Sequence, residues 1–479
     1  MLKKFLVTTI AIFSSFAFGA TTNPVQLLNP TGSTAGQAVI STGATTAPSW
    51  GIPSPDPKVI NVISSPYNAK GDSNGTHGNG TDNTAAFQAA FNAANSSGAS
   101  IFIPCGTYRI TAPITVTDSN ARWIYGSGAC SKIYSDQNTA NTTFSFSPSV
   151  GTCGAQNNQP CAVIKDMTFI APNTVGSGQT ALYFNNYNSP YVDNVQFIGQ
   201  QVSAGFVNSF APRFHNNRVY GGVAAVYSTD LSFNSGEIWS NSFYNITGNA
   251  VQIEPVSNCV ANVSIKNNDF EQAAVALKAG GLCGATFADN YIENTHTQTP
   301  FNFTGSNFSM LFRGNLINGA TDSGTGAMSI ANLNNAQWVN NNFININVSY
   351  GSGASGVRLR AAENTLFNST LPVPSAVCTG NGTGGTCTIS GDDQFGYVNM
   401  NTGSSPANGG TVTLTFTNAL GANHASCSWT PIHNTGTWTA PATVIGGSAA
   451  TTSTIGNWAN GATLTASKSY LLGYQCQGW

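Results

Sequence analysis

A short polar unit centred on asparagine recurs along the middle of the chain at intervals of 22 to 27 residues. In each unit an apolar residue lies two positions after the asparagine, as in HNNRVY, WSNSFY and KNNDFE. A repeat of this length, built from short strands and turns, is typical of solenoids, in which each repeat is buried against its neighbours. The pivots that we assign to the units are Asp193, Asn217, Asn241, Asn268, Asn290, Asn315, Asn341 and Asn364.

A second set of strand-like segments runs in step with the pivots: AVYS, AVQIE, AVALK, PFNF, MSIA and GVRLR. One coil per repeat stacks parallel strands about 4.8 Å apart, so that the pivots can form a hydrogen-bonded asparagine ladder. The leucine-rich repeat has a similar period, but its leucine spacing is absent from this chain. We therefore predict an all-β parallel β-helix.

The segment before the repeats carries a family resemblance. NAKGDSNG, GTDNTAAFQAAFNAA and IFIPCGTYRIT together resemble the N-terminal segment of the pectate-lyase-like superfamily of right-handed parallel β-helices, which includes phage tailspikes. The chain departs from the family pattern by the insertion SNGTHGN after Asp72 and by Asn83, where the pattern has a second aspartate. The resemblance covers about 50 residues. It implies the fold and a helix that seals one end, and it implies no catalytic set.

The pattern around that helix is also readable directly. Thr81 or Asp82 can cap its start, and the stretch Ser96 to Gly98 can end it. Between them lies one apolar stripe, formed by Ala86, Phe87, Ala90, Phe91 and Ala94.

Changes in composition along the sequence divide the chain into four segments. Residues 1–20 look like a secretory signal, with Lys3 and Lys4 before a short apolar run, although an uncleaved anchor is the alternative. Residues 21–55 are a linker or attachment segment, and residues 56–370 are the β-helix. Residues 371–479 read as a C-terminal antiparallel β-sandwich for trimerisation or for receptor or glycan binding.

Charge and composition narrow the class of partner. Only 7% of the residues are charged and the formal net charge is −2, so the chain lacks the basic surface of nucleic-acid or anionic-membrane binders. Hydrophobic residues make up 41%, which allows a large core, and the remaining surface is rich in neutral polar groups. A polysaccharide is therefore the expected partner. No membrane span is expected after signal removal, and the five histidines show no metal spacing, so we expect no metal and no cofactor.

Ten cysteines agree with export to an oxidising compartment. No C-x-x-C motif is present, so disulfides are favoured over metal or redox sites, with free buried cysteines as the alternative. Cys259 lies eight residues after Val251 and Cys283 eight after Val275, which predicts equivalent places on consecutive coils. The neighbouring pairs are Cys105 and Cys130, Cys153 and Cys161, Cys259 and Cys283, Cys378 and Cys387, and Cys427 and Cys476.

One acidic pair occupies equivalent positions on consecutive repeats. Glu271 and Glu293 each lie three residues after a pivot, and paired carboxylates are what glycoside hydrolysis needs. The same column holds Tyr220, Tyr244 and Asn318, which suit substrate binding. We expect Asp269 to point to the opposite side. A structural role of the pair in a turn ladder is the alternative to catalysis.

No known catalytic set can be carried over to this chain. The polygalacturonase motifs are reduced to STD at 228–230 and SIK at 264–266, and calcium-dependent pectate lyases need an aspartate cluster that these repeats lack. Trp429, Trp438, Trp458 and Trp479 are interpreted mainly as sandwich core rather than as sugar platforms.

The functional hypothesis is an exported, tailspike-like homotrimer that binds an extracellular or cell-surface polysaccharide and depolymerises it by hydrolysis or elimination. The rival is a non-enzymatic adhesin or structural fibre, in which the β-helix is a spacer and the C-terminal domain binds glycan.

Overall fold

The computed structural model describes part of the chain, and it covers most of the repeat region. The sequence predictions for the signal segment, for Cys153 and Cys161, and for Trp438, Trp458 and Trp479 lie outside the described residues. The described residues are 38–40, 49–51, 59–117, 122–137, 141–148, 162–171, 179–230, 233–255, 259–293, 299–319, 326–349, 354, 357–359, 363–367, 369, 371–392, 395–407, 411–416, 425–432, 444–449, 452–456 and 464–478.

The chain divides into two units, of which the first ends at Val59. In its described part, strands β1 (Ala38–Ile40) and β2 (Ser49–Gly51) pair in antiparallel fashion. The second unit, from Ile60 onward, contains the repeats and the C-terminal sheets.

Helix α1 (Thr84–Ser97) covers the beginning of the repeat core with the predicted apolar stripe, in which Phe87, Ala90, Phe91 and Ala94 are buried. It ends at Gly98, whose φ of 69° is readily adopted by glycine. Asn83 occupies the N-cap position without a side-chain capping bond. Of the two residues predicted to cap the start, Asp82 accepts a hydrogen bond from the Thr84 amide at 3.0 Å.

Asn83 also explains the departure from the family pattern. Its side-chain oxygen accepts a hydrogen bond from the Lys70 amide at 2.6 Å, and its Nδ2 donates to the carbonyls of Lys70 and Thr81, both at 2.9 Å. Because an ionised carboxylate has no proton to donate, an aspartate could not make the last two bonds. Asparagine is the better residue for this buried position.

The repeats form a right-handed parallel β-helix, as predicted. Each coil contributes a strand to a first stack, bends at a corner, and contributes another strand to a second stack. The long strands β10 (Ala162–Ile170) and β12 (Tyr191–Ile198) run through both stacks. The first stack comprises β3 (Val59–Asn61), β4 (Ser100–Ile103), β7 (Arg122–Gly126), β10 (Ala162–Ile170), β12 (Tyr191–Ile198), β14 (Arg213–His215), β17 (Glu237–Trp239), β21 (Ser264–Lys266), β25 (Thr286–Ala288), β29 (Leu311–Arg313), β33 (Gln337–Val339) and β36 (Arg358–Leu359). The second adds β5 (Gly106–Ile110), β8 (Ser131–Ser135), β15 (Arg218–Tyr220), β18 (Ser242–Tyr244), β22 (Asp269–Glu271), β26 (Tyr291–Glu293), β30 (Leu316–Asn318), β34 (Asn342–Ile344) and β37 (Thr365–Phe367).

Further stacks complete the coils. The third stack comprises β6 (Ile114–Val116), β9 (Thr142–Phe146), β11 (Thr180–Asn185), β13 (Val202–Val207), β16 (Ala224–Ser228), β19 (Asn249–Ile253), β23 (Val275–Ala279) and β27 (Phe301–Phe303), and β31 (Gly326–Ser329) pairs with β35 (Ile346–Ser349). A short fourth stack contains β20 (Val260–Ala261), β24 (Leu282–Cys283), β28 (Asn307–Phe308) and β32 (Leu333–Asn334).

The corner between the first and second stacks is held by the predicted asparagine ladder. The backbone N–H and Nδ2 of Asn241 both donate to Oδ1 of Asn268, at 3.0 and 2.9 Å, and Asn268 repeats the pattern with Asn290. These asparagines are nearly inaccessible to solvent. Each amide therefore satisfies backbone groups that the corner would otherwise bury without partners.

Three segments were assigned to the wrong position in the repeat. Val195, not Asp193, precedes Asn217 in the ladder, because the Val195 amide donates to Asn217 Oδ1. In the strand register, Cys283 lies opposite Ala261 rather than opposite Cys259. The GVRLR segment supplies β36, which pairs with β33 in the first stack and not with the second set of strands. In the first two cases the assigned residue is two positions away from the correct one. The coils differ in length, so the register shifts, and residues two apart on a strand share a face, so the side chains still point the same way.

Four of the five predicted disulfides are present in the described residues: Cys105–Cys130, Cys259–Cys283, Cys378–Cys387 and Cys427–Cys476. The Cα atoms of Cys259 and Cys283 are 5.7 Å apart, within the usual range for a disulfide, despite the two-residue offset. Such bonds persist in oxidising environments, which indicates an extracellular protein.

The C-terminal region contains two four-stranded antiparallel sheets, as predicted, around a separate core. Trp429 is 9% exposed and packs on Tyr474, in agreement with its interpretation as core. One sheet has the order β38 (Ser375–Cys378), β41 (Thr411–Thr415), β44 (Thr452–Gly456) and β43 (Val444–Ala449). The other has the order β39 (Thr386–Gly391), β40 (Phe395–Asn401), β45 (Ser469–Gly478) and β42 (Ala425–Ile432).

In the part of the chain that the structure describes, no helix combines the length and the apolarity needed to cross a membrane.

Candidate functional site

The five residues predicted for the site form one column on the outside of the second stack. Tyr220 pairs with Tyr244, Tyr244 with Glu271, Glu271 with Glu293, and Glu293 with Asn318. Each step is one coil, so neighbouring residues of the column are about 4.8 Å apart at the backbone. The structure thus brings all five together.

Asp269 belongs to the same surface, and its expected orientation is wrong. On β22 the buried residue is Phe270, while Asp269 and Glu271 lie on the outer face. Side chains alternate along a strand, so residues two apart share a face. Three carboxyl groups, those of Asp269, Glu271 and Glu293, therefore occupy two adjacent strands.

Glu293 is held by two hydrogen-bond donors. The hydroxyl of Tyr291 donates to Glu293 Oε2, and Asn318 Nδ2 donates to Oε1 at 3.4 Å. The bond to Glu293, followed by burial and nearby carboxylates, raises the pKa of Tyr291 to about 12. Tyr291 therefore remains a protonated donor at neutral pH, and the two contacts hold the Glu293 carboxylate in place.

Among the described carboxyl groups, Asp269 has the pKa that its surroundings raise most. Burial is the largest cause, followed by the negative charges of Glu271 and then Glu293, and together they raise the pKa of Asp269 to about 6. Its Oδ1 atom is buried and has no hydrogen-bond partner in the described structure. A carboxyl group in this state can exist in both protonation forms near neutral pH, as acid–base catalysis requires.

Asp269 also lies at one end of a groove of about 650 Å³ that follows the corner from β10 to β22. The groove is lined mainly by amide and hydroxyl groups, and Arg218 and Asp269 are the charged residues in its lining. The outward column from Arg218 through Ser242 to Asp269 forms one side. Amides and hydroxyls both donate and accept hydrogen bonds, so this lining matches the hydroxyl groups of a sugar chain.

The corner residues give the groove its polar character. Asn194, Asn216, Ser240 and Asn267 precede the ladder positions and have φ values of 52° to 57°. Asparagine and serine are short polar residues, and asparagine in particular tolerates this left-handed conformation better than branched residues do. The same residues that allow the chain to bend therefore line the groove.

Tyr220 and Tyr244 flank the groove on the carboxylate side. Their rings stack on each other with centroids 5.2 Å apart, and Tyr220 is 51% exposed. One face of each ring is covered by the other ring. A ligand would therefore reach the ring edges, the hydroxyl groups and at most one face of each ring.

Other charged residues have structural partners. Lys278 Nζ lies 2.9 Å from Glu254, and Thr304 and Gln252 also donate to this carboxylate. Asp230, in the STD segment, accepts a hydrogen bond from the Asn208 amide at 2.7 Å. Neither arrangement resembles a catalytic pair.

A second charged network lies on the first stack, outside the groove. Glu237 lies 3.2 Å from His215 Nε2 and 3.5 Å from Arg213 Nε. His215 stacks on Trp239, whose ring is also contacted by Lys266. These groups neutralise and cover one another, which favours a structural role.

Sequence reasoning missed Asp269, Arg218 and the groove. The signal for Asp269 was available, since positions i and i+2 of a strand share a face. The groove had no comparable signal because it depends on how the corners of several coils align.

Comparison with known proteins adds solved structures of low sequence similarity. No protein-family profile and no curated protein sequence matches the chain. The structure of the Dettilon tailspike protein is 10% identical, with a TM-score of 0.42, over 87% of this chain and 94% of that one. DFA-IIIase from Arthrobacter chlorophenolicus A6 is 13% identical, with a TM-score of 0.49, over 65% and 86%. PfbA, a surface adhesin of Streptococcus pneumoniae, is 14% identical, with a TM-score of 0.39, over 65% and 92%. The fold assignment follows from the strand register of this chain itself.

Proposed function

We propose that this protein is an extracellular polysaccharide depolymerase that binds its substrate along the corner groove and cleaves it at the carboxylates beside Asp269. One observation carries the proposal: a neutral polar groove ends next to three carboxyl groups on adjacent coils. The groove supplies binding, and the carboxyl groups supply the acid and base that glycoside hydrolysis requires.

The shape of the groove suits a polymer. Because it crosses several coils, each successive coil offers a similar set of amide and hydroxyl groups. A glycan lying along the coils would meet Gln196, Arg218 and Ser242 before it reaches Asp269. Repeated weak polar contacts of this kind bind an extended chain without requiring a deep pocket.

The site favours hydrolysis over elimination. Hydrolysis requires a protonated carboxyl group and a second carboxylate about 5 to 9.5 Å away, and adjacent positions on these strands fall near that range. Asp269, Glu271 and Glu293 provide both kinds of group. Elimination requires a strong base beside the sugar ring. Among the described residues of the groove lining, Arg218 is the one basic side chain, so the carboxyl groups outnumber the candidates for such a base.

The test is a reducing-end assay on purified protein with polysaccharides as substrates, run beside an absorbance assay for unsaturated products. New reducing ends without unsaturated products support hydrolysis. Unsaturated products would assign the chain to the lyases, and no product with any glycan that the protein binds would favour the adhesin.

The adhesin remains the second candidate because of one surface on the C-terminal sheet. Phe395 and Tyr397 lie two residues apart on β40, and each is more than 40% exposed. Exposed aromatic side chains of this type can contact sugar rings. If Phe395→Ala and Tyr397→Ala abolish glycan binding while turnover is absent from the native protein, the adhesin is the correct assignment.

We also propose export by the N-terminal signal and assembly as a homotrimer through residues 371–479. The disulfides support export, and the antiparallel sheets of residues 371–479, which have a core of their own, are the part that we propose for assembly. N-terminal sequencing of secreted protein tests cleavage after residue 20. Light scattering tests the mass, and a monomer at micromolar concentration would contradict the trimer.

A further inference from the structure

Asp269 is placed differently from the two glutamates beside it. In the second stack it pairs with Ser242 on one side and with Tyr291 on the other, and it faces the groove. Glu271 and Glu293 belong to the next outward column and are absent from the groove lining. A glycan in the groove would therefore meet the Asp269 carboxyl group first.

The buried Oδ1 atom of Asp269 lacks a partner in the described structure. A buried polar atom without a hydrogen bond is costly, and such atoms are uncommon outside functional sites. A glycosidic oxygen or hydroxyl group in the groove would supply the missing hydrogen bond.

The charged and titratable groups around Asp269 come from its own strand and from neighbouring coils. Glu271 lies on the same strand, Glu293 and Tyr291 on the following coil, and Arg218 two coils before. The two glutamates oppose ionisation of Asp269, and the pKa of this group is raised to about 6 by burial and by their charges. Arg218 is separated from Asp269 by the Ser242 coil, so its charge acts over a longer distance.

We propose that Asp269 is the proton donor of the cleavage reaction and that Glu271 is the base that accepts a proton from the attacking water. This inference rests on the proposed function. Asp269 gives its proton to the glycosidic oxygen as the bond between that oxygen and the anomeric carbon breaks. Glu271 accepts a proton from a water molecule, whose oxygen forms the new bond to the anomeric carbon. The products are two shorter chains, and the proton that Glu271 gains returns to Asp269 through solvent.

We assign the base to Glu271 rather than to Glu293 because fewer hydrogen bonds occupy its carboxylate oxygens. Tyr291 and Asn318 donate to Glu293, whereas no hydrogen bond to the Glu271 carboxylate occurs among the described residues. Glu293 is then a positioning residue, which fixes Tyr291 and adds negative charge beside Asp269.

The spacing of the two residues predicts the stereochemistry. The backbone positions of residues two apart on a strand are about 6.6 Å apart, and carboxyl groups that keep this spacing leave room for the attacking water, as inverting hydrolysis requires. The backbone positions of Glu271 and Glu293 are about 4.8 Å apart across the strands, and carboxyl groups at that spacing correspond more closely to retaining hydrolysis. The anomeric configuration of the first product therefore distinguishes Asp269 from the alternative.

The experiment compares wild type, Asp269→Asn and Asp269→Glu with the control Asp289→Asn. Asp289 lies on the next coil, is about half exposed and is outside the groove lining. Dextran, xylan, alginate, hyaluronan and a purified bacterial capsular polysaccharide serve as probes, with reducing ends and the anomeric proton signal as readouts. We expect inversion, a loss of at least 100-fold in kcat for Asp269→Asn, partial activity for Asp269→Glu and full activity for the control.

A second measurement needs no substrate. The ¹³C signal of the Asp269 carboxyl group should titrate near pH 6 and shift to lower pH in Glu271→Gln. Retention of configuration, normal turnover by Asp269→Asn, or titration of Asp269 in the ordinary aspartate range would each overturn the assignment while leaving the proposed function intact. Absence of cleavage by the wild type on every probe would instead overturn both.

Discussion

Glu271 and Glu293 lie opposite each other on adjacent parallel strands, one coil apart, with their side chains on the outside of the helix. Two carboxylates at this spacing repel each other when both are ionised. After burial, the charges of these two glutamates are the next causes that raise the pKa of Asp269, which lines the neighbouring groove.

Amide substitutions should separate activity from stability. Glu271→Gln and Glu293→Gln remove one negative charge each and keep nearly the same shape. We expect turnover to fall by a factor of about 10² to 10⁴ for the base and less for the positioning residue. Melting temperature should remain unchanged or rise, since a repulsion is relieved. If both variants cleave normally, the active site lies elsewhere; if both fail to fold, these residues are structural.

Asp269→Asn should stabilise the protein at high pH and have no effect at low pH. The pKa of Asp269 is raised from 3.8 to about 6, so the folded state holds the proton more tightly than the unfolded state. Below pH 3.8 the carboxyl group is neutral in both states and the variant matches the wild type. Above pH 6 the wild type must ionise a disfavoured group, and we expect the variant to be more stable by roughly 1 to 2 kcal/mol. Thermal melts at pH 3.5 and 8 measure this, and equal stability of the two proteins at pH 8 would refute it.

The asparagine ladder should be one of the most sensitive parts of the fold. Asn268→Ala leaves both donors of Asn241 without their acceptor and removes the donor to the Ile238 carbonyl. Each orphaned buried group costs about 1 to 3 kcal/mol, so we expect a loss of roughly 3 to 5 kcal/mol in denaturant unfolding. Asn342→Ala, at an exposed position of β34, is the control and should change stability by less than about 0.5 kcal/mol. Equal effects would mean that the ladder is energetically unimportant.

Much of the fold could be predicted from the sequence because the spacing of the asparagines gives the length of each coil and the positions of its strands. Asn268 and Asn290 identified the register that places Glu271 opposite Glu293. The register of Cys259 and Cys283 was misplaced by two residues because loops of variable length separate the stacks, and an error of two keeps the correct face. The burial of Asp269 and the groove depend on neighbouring coils, which a linear pattern does not report.

Arg218 should contribute to affinity rather than to turnover. It is the one cation in the groove lining, so a negatively charged group on the glycan would pair with it. For an acidic glycan, we expect Arg218→Ala to weaken binding about tenfold, or about 1.4 kcal/mol, with kcat nearly unchanged. Arg313→Ala, half exposed and outside the groove lining, is the matched control. Affinity electrophoresis in gels containing alginate or dextran measures both, and equal mobility of the two variants in alginate would exclude this role.

The central claim, that these carboxylates hydrolyse a polysaccharide, is tested most directly by measuring reducing ends released by wild type, Asp269→Asn and Glu271→Gln from a glycan that all three bind. We predict release by the wild type, a loss of at least 100-fold in both variants, unchanged glycan affinity, and melting temperatures equal to or above that of the wild type. Equal release by all three proteins, or tight binding without any release by the wild type, would contradict it.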